Sequence, residues 1–214
     1  TPFELQNDFS VAILGLSNFF REDAAVTAQT MQIGNKPCHI YGETHAEYLL
    51  FQMTGEHELQ SMESEVAAIA QSAHRFLFAA IPVESWNDAL SPWEAPAVWG
   101  KQGFGGNAGD TLRFLTEQVI PTLKRQFPLP ENVKIILGGY SLAGLFALWA
   151  STQTNLFYGI AAASPSVWFP GWMEHEQQHP IQAQRVYLSL GDKEEHTKNA
   201  VMAVVGDNIR TLHS

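Results

Sequence analysis

Ser141 stands among small residues in Gly138-Gly139-Tyr140-Ser141-Leu142-Ala143-Gly144. A serine hydroxyl becomes a nucleophile when a base takes its proton and hydrogen-bond donors receive the oxyanion that forms, which is the chemistry of acyl transfer. That serine must project from a sharp turn between a strand and a helix, with small residues two places before and after it. Gly139 fills the first place. Ala143 fills the second, where glycine is commoner, and Gly144 adds room. Carboxylates able to orient a base lie later in the chain, at Asp192, Glu194 and Glu195. A second constellation competes. His175-Glu176-Gln177-Gln178-His179 has the spacing of a zinc hydrolase, with two imidazoles on one helix face, a glutamate as base, and Glu194 or Glu195 as a third ligand. Its context is poor, because Pro170-Gly171 and Pro180 leave room for only about two helical turns and the flanks are polar.

The elements around Ser141 fit the first chemistry. Residues 133–137 are an apolar run suited to a buried strand, and residues 142–149 are helix formers at helical density. Further strands are expected at 36–42, 46–53, 75–83, 158–163 and 185–190, and helices at 62–73, 110–127 and 199–213. Asp110 is the expected cap of the second helix, and Pro121 should kink it. Residues 11–20 read as a strand or a short buried helix without assigned function. Residues 84–110 carry three tryptophans, two prolines and five glycines, and read as a long irregular loop of the kind that serves a site. Strands alternating with helices predict an α/β fold with a mostly parallel sheet, as one domain over 1–214. In such sheets the working groups gather at the carboxyl ends of the strands. Those ends bring up Thr54-Gly55-Glu56-His57, the Trp-rich loop, Ser141, Ser164-Pro165-Ser166-Val167-Trp168 and Gly191-Asp192-Lys193-Glu194-Glu195.

Composition narrows the partners. The chain has 214 residues, 45% hydrophobic and 16% charged, with a formal net charge of −10. That balance argues against nucleic acid and anionic membranes, which select basic faces. No stretch reaches the ~18–20 apolar residues of a membrane span. The single cysteine, Cys38, precludes an internal disulfide, reads as a core residue, and fits a reducing, cytoplasmic setting. Gly103 to Gly109 lacks the lysine and the strand-to-helix setting of a phosphate loop, so nucleotide binding is rejected. His39, His45 and His74 read as structural or surface residues, whereas His57 should border the site. No cofactor is expected, and the sequence sets no oligomeric state.

From about Tyr48 onward the chain resembles the esterase D–like esterases of the α/β-hydrolase superfamily, the group that includes siderophore esterases. The carriers are Gly139-Tyr140-Ser141-Leu142-Ala143-Gly144, then Ser164-Pro165-Ser166-Val167-Trp168, then the Gly191-x-x-Glu194 loop. The resemblance implies a three-layer α/β sandwich, and a serine hydrolase that cleaves a small-molecule carboxylic ester through an acyl-enzyme on Ser141. It favours Glu194 over Asp192 and Glu195 as the acid. It implies an oxyanion hole built from the backbone N–H of Leu142 and that of Glu56 or Gly55. Trp93, Trp99, Trp168 and Tyr140, with Phe104, would line the substrate pocket, and ordinary packing is the competing reading for these aromatic rings. It also implies a catalytic histidine after the acid, on a loop beyond one more helix and strand. His196 sits too near Glu194 for that, and His213 is only a fallback. The expectation is therefore a histidine beyond Ser214, with the final strand and helix of the fold. The alternatives are the zinc-dependent hydrolase on His175 and His179, and a catalytically silent binding module of the same fold.

Overall fold

In a computed structural model, residues 27–42, 45–73 and 75–213 are described. The segment 11–20 and His74 lie outside them. The strands are β1 (Thr27–Ile33), β2 (Lys36–Gly42), β3 (Tyr48–Thr54), β4 (Phe76–Pro82), β5 (Glu94–Ala95), β6 (Phe104–Gly105), β7 (Lys134–Tyr140), β8 (Gly159–Ala163) and β9 (Arg185–Ser189). The helices are α1 (Met62–Ala70), α2 (Trp86–Leu90), α3 (Ala108–Phe114), α4 (Ile120–Gln126), α5 (Leu142–Gln153), α6 (Trp172–Gln178) and α7 (Val205–Leu212).

Seven strands form one sheet in the order β1-β2-β4-β3-β7-β8-β9. From β4 to β9 all pairings are parallel, while β1–β2 and β2–β4 are antiparallel. The mostly parallel sheet expected from the sequence is therefore present, and the architecture is that of an α/β-hydrolase. Parallel strands covered on both faces read as unbroken apolar runs, and β4 is buried from Phe76 to Ile81. Alternate residues divide between the faces. Leu49, Phe51 and Met53 of β3 join one core with α5, and Leu50 joins a second core with Met62, Val66 and Ile69 of α1. Helix α5 is buried from Leu142 to Thr152, as expected of a helix that is apolar all round.

Several expected boundaries move. The helix expected at 110 begins at Ala108, with Asn107 at its start, and Asp110 pairs with Arg113 inside the first turn. Pro121 does not bend a single α-helix. A π-helical segment, Leu115–Val119, lies just ahead of it, and Pro121 falls in the first turn of α4. The wider ladder accommodates a residue that lacks an N–H and crowds the preceding turn. Residues 84–110 are not irregular throughout, because α2 and the β5–β6 hairpin lie within them. The last helix begins at Val205 instead of 199. The Asn199 carboxamide accepts from the N–H groups of Val201 and Met202 and holds a turn there. Strand β1 was not expected. It pairs with β2 across a two-residue turn, Gly34-Asn35, where Gly34 has φ +58°.

Candidate active site

Ser141 lies between the last residue of β7 and the first of α5, with φ 56° and ψ −119°. This is a left-handed conformation that costs a non-glycine residue of order 1–3 kcal/mol. The turn closes because its flanks are small. A Cβ on Gly139 would stand 2.5 Å from Cβ of Ala143, and one on Gly144 would stand 3.1 Å from Cβ of Pro165. Ser141 N–H donates to Ala163 O at 3.0 Å, which ties the turn to the end of β8.

The segment after β8 joins the two predicted catalytic side chains. Ser166 N–H donates to Ser141 O at 3.0 Å, and the Ser166 and Ser141 hydroxyls lie 3.3 Å apart. Two residues earlier, the Ser164 hydroxyl donates to Glu194 Oε1 at 2.5 Å, with Ser164 itself at φ 42°. Glu194 Oε1 also accepts from Gly191 N–H at 3.2 Å. A Cβ on Gly191 would meet that oxygen at 2.8 Å, so glycine permits the close approach. Glu195 instead pairs with Arg210 at 2.8 Å. The sequence named Ser164 and Ser166 only as part of a motif. Their contacts join residues 25 and 30 positions apart in the chain, which no local pattern reveals.

The loop after β3 repeats the geometry of the Glu194 loop. Gly55 N–H donates to Glu58 Oε2 at 2.6 Å, and Glu58 N–H donates back to Gly55 O at 3.1 Å. In the later loop Glu194 N–H likewise donates to Gly191 O at 3.1 Å. Both are Gly-x-x-Glu turns that run into a short 3-10 helix. The β3–β7 ladder carries the first turn toward the end of the sheet where Ser141 lies. Gln52 pairs with Gly138, and the same step continued brings Gly55 level with Ser141. Leu142, the first residue of α5, has no acceptor for its N–H within its own helix. A cavity of about 550 Å3 flanks the Gly55 loop, lined by Glu56, His57, Val83, Glu84 and Trp86 among others, and Ser141 is not in its wall.

The aromatic candidates separate. Trp99 and Trp168 meet edge to face at 5.5 Å, and Phe104 packs on both. Trp99 is 54% exposed, whereas Trp168 is buried. Trp93 faces α6, where it packs on Phe169 and His175 and donates from Nε1 to Pro170 O. Tyr140 is half-buried at the end of β7. His175 lies among Trp93, Trp172 and His179, and its Nε2 is 3.0 Å from the Thr152 hydroxyl. Burial, and then the neighbouring His179, lower its pKa. Helix α6 has seven residues, and no cluster of three metal-ligating side chains occurs among the described residues. His175 stacks on the exposed His179, with ring centroids 4.5 Å apart.

Two other titratable groups are buried. The Cys38 thiol is pushed up to about 11 by burial, which makes it an inert core residue. Glu65 on α1 is raised to about 7, first by burial, with the Glu58 charge adding and a bond from Gln52 opposing. Among the described residues no histidine is hydrogen-bonded to Ser141 or Glu194. His213 is exposed at the end of α7, and among the described residues no helix is long and apolar enough to cross a membrane.

Comparison with known proteins adds an independent line. The model of the Esterase family matches residues 57–210. The fold is similar to that of an IroE-like serine hydrolase from Shewanella oneidensis, at TM-score 0.66 and 16% identity over 88% of this chain and 70% of that one. It is similar to the BES protein from Bacillus cereus, at TM-score 0.62 and 18% identity over 92% and 86%. The siderophore hydrolase EstB from Aspergillus nidulans gives TM-score 0.62 and 17% identity over 91% and 84%. No curated protein matches the sequence.

Proposed function

The chain belongs to the Esterase family and has the α/β-hydrolase fold, and from that premise we propose that it is a serine esterase whose nucleophile is Ser141. One observation carries the reading: Ser141 sits at positive φ at a strand-to-helix junction, a strained position that a mere connecting turn would give to glycine. In the proposed reaction Ser141 Oγ attacks the carbonyl carbon of a small-molecule ester. A histidine takes the hydroxyl proton and passes it to the leaving alcohol as the carbon–oxygen bond breaks. Water then attacks the acyl-enzyme by the same route, releasing the acid and restoring the serine. Glu194 orients the histidine and stabilises its imidazolium. The N–H groups of Leu142 and of the Gly55 loop hold the oxyanion, where one donor is worth about 2.7–4 kcal/mol. The exposed Trp99, resting on Trp168 and Phe104, forms a shelf for the apolar part of the substrate.

His213 is only a fallback for that base, and His213→Ala in the full-length protein tests it, because unchanged activity assigns the base to another histidine. The function is tested with a short-chain nitrophenyl ester and a fluorophosphonate probe. Hydrolysis and labelling that both disappear in Ser141→Ala support the reading. A full-length protein that neither hydrolyses the ester nor labels at Ser141 would overturn it and favour a silent binding module. Hydrolysis lost to a chelator would favour metal chemistry.

A further inference from the structure

We propose that Glu58 is a positioning residue of the esterase reaction: its carboxylate occupies Gly55 N–H, locks the loop after β3, and leaves Glu56 N–H as the oxyanion donor that faces Leu142. The inference rests on the serine-esterase reading above. The family resemblance offered Glu56 as the donor, with Gly55 as its alternative. Gly55 N–H already donates to the Glu58 carboxylate oxygen Oε2 at 2.6 Å, a short bond of one of the stronger kinds. The return bond from Glu58 N–H to Gly55 O closes the turn. Glu56 N–H has no acceptor among the described residues. The same turn, with both bonds, holds Glu194 at the end of β9. One local device therefore serves two strand ends, once to place a carboxylate and once to place an amide. His57 packs against the same residue, since a Cβ on Gly55 would meet its ring at 2.8 Å. The Gly55 turn is thus held by the Glu58 side chain and packed by the His57 ring as well as by its backbone bond.

An oxyanion donor acts through its distance to an atom that exists only in the transition state, so a small displacement acts on kcat more than on KM. The test compares Glu58→Gln, Glu58→Asp and Glu58→Ala in the full-length protein, on a nitrophenyl ester. Glutamine keeps an acceptor at the same reach without the charge, and aspartate keeps the charge but is one methylene short. The expected result is a kcat loss of roughly 10- to 100-fold in Glu58→Ala and Glu58→Asp at nearly constant KM. Glu58→Gln should stay within about threefold of wild type. The proposal is overturned if aspartate preserves the rate and glutamine does not, if all three variants keep wild-type kcat, or if kcat rises. A rise would mean that the carboxylate competes with the oxyanion for Gly55 N–H. Melting temperature separates folding loss from rate loss, and should Glu58→Ala not fold, the glutamine and aspartate pair still decides. Fluorophosphonate labelling of wild-type Ser141 is scored beside it. Absent labelling sinks the esterase reading, whereas normal labelling with an unchanged Glu58 series sinks this inference alone.

Discussion

The Ser164 hydroxyl donates to Glu194 Oε1 at 2.5 Å, across the gap between the ends of β8 and β9. Together with Gly191 N–H it holds one carboxylate oxygen in place. If Glu194 orients the catalytic base, Ser164→Ala removes one of two restraints on it. Charged hydrogen bonds contribute about 1.5–3 kcal/mol, so kcat/KM should fall by roughly 10-fold or more. Steady-state kinetics on a nitrophenyl ester check this, and a Ser164→Ala enzyme as fast as wild type would remove Ser164 from the positioning of the acid.

Ser141 pays for its conformation in stability. Ser141→Gly should abolish hydrolysis and also raise the unfolding free energy by about 1 kcal/mol, because glycine adopts φ 56° without a Cβ clash. Ser141→Ala should abolish hydrolysis with no such gain. Urea unfolding of the three proteins distinguishes the cases, and a glycine variant less stable than wild type would show that the turn is not strained.

Glu65 predicts an unusual pH dependence of stability. Its folded pKa is raised from 4.5 to about 7. The folded state therefore holds a proton that the unfolded chain releases, so its contribution is fullest below pH 4.5 and declines as pH rises toward 7. The whole effect is of order 3 kcal/mol. Glu65→Gln, which cannot ionise, should lose less stability than wild type between pH 5 and pH 8. Chemical denaturation at the two pH values tests it, and parallel curves for the two proteins would show that Glu65 is ionised in the fold throughout.

His175→Ala should leave ester hydrolysis indifferent to chelators and lower stability by about 2 kcal/mol, since the ring packs among Trp93, Trp172 and His179 and meets Thr152. Its pKa is lowered from 6.5 by burial. Its contribution is therefore present above pH 6.5 and is lost as pH falls and the folded state must accept a proton. A variant that lost bound zinc along with activity would restore the metal reading.

Legibility in the sequence followed the range of the forces involved. The Ser141 turn was readable because Gly139, Ser141 and Ala143 are neighbours whose sizes must agree. Strand β4 was readable because burial on both faces leaves an unbroken apolar run. Strand β1 was missed because Thr27 to Gln32 is largely polar at the edge of the sheet, although Gly34-Asn35 is a recognised hairpin turn. The start of α3 moved from Asp110 to Ala108 because either Asn107 or Asp110 has a side chain suited to a helix start. The Ser164–Glu194 bond could not be read, since it depends on β8 and β9 lying side by side. The reciprocal turn at Gly55 was within reach, because Gly-x-x-Glu occurs at both 55–58 and 191–194.

Pro165 lies between the two serines that reach Ser141 and Glu194, and its ring rests where Gly144 has no side chain. A proline has one free backbone torsion fewer, so the backbone that carries Ser164 and Ser166 is stiffened where it sits against the helix that begins at Leu142. Heredity should treat these positions as a package. A larger residue at 144 would unseat Pro165 and disturb both hydroxyls together. Such a change should survive only with a compensating change at 165, and attempts to recombine this enzyme with distant relatives should place no crossover between residues 144 and 166.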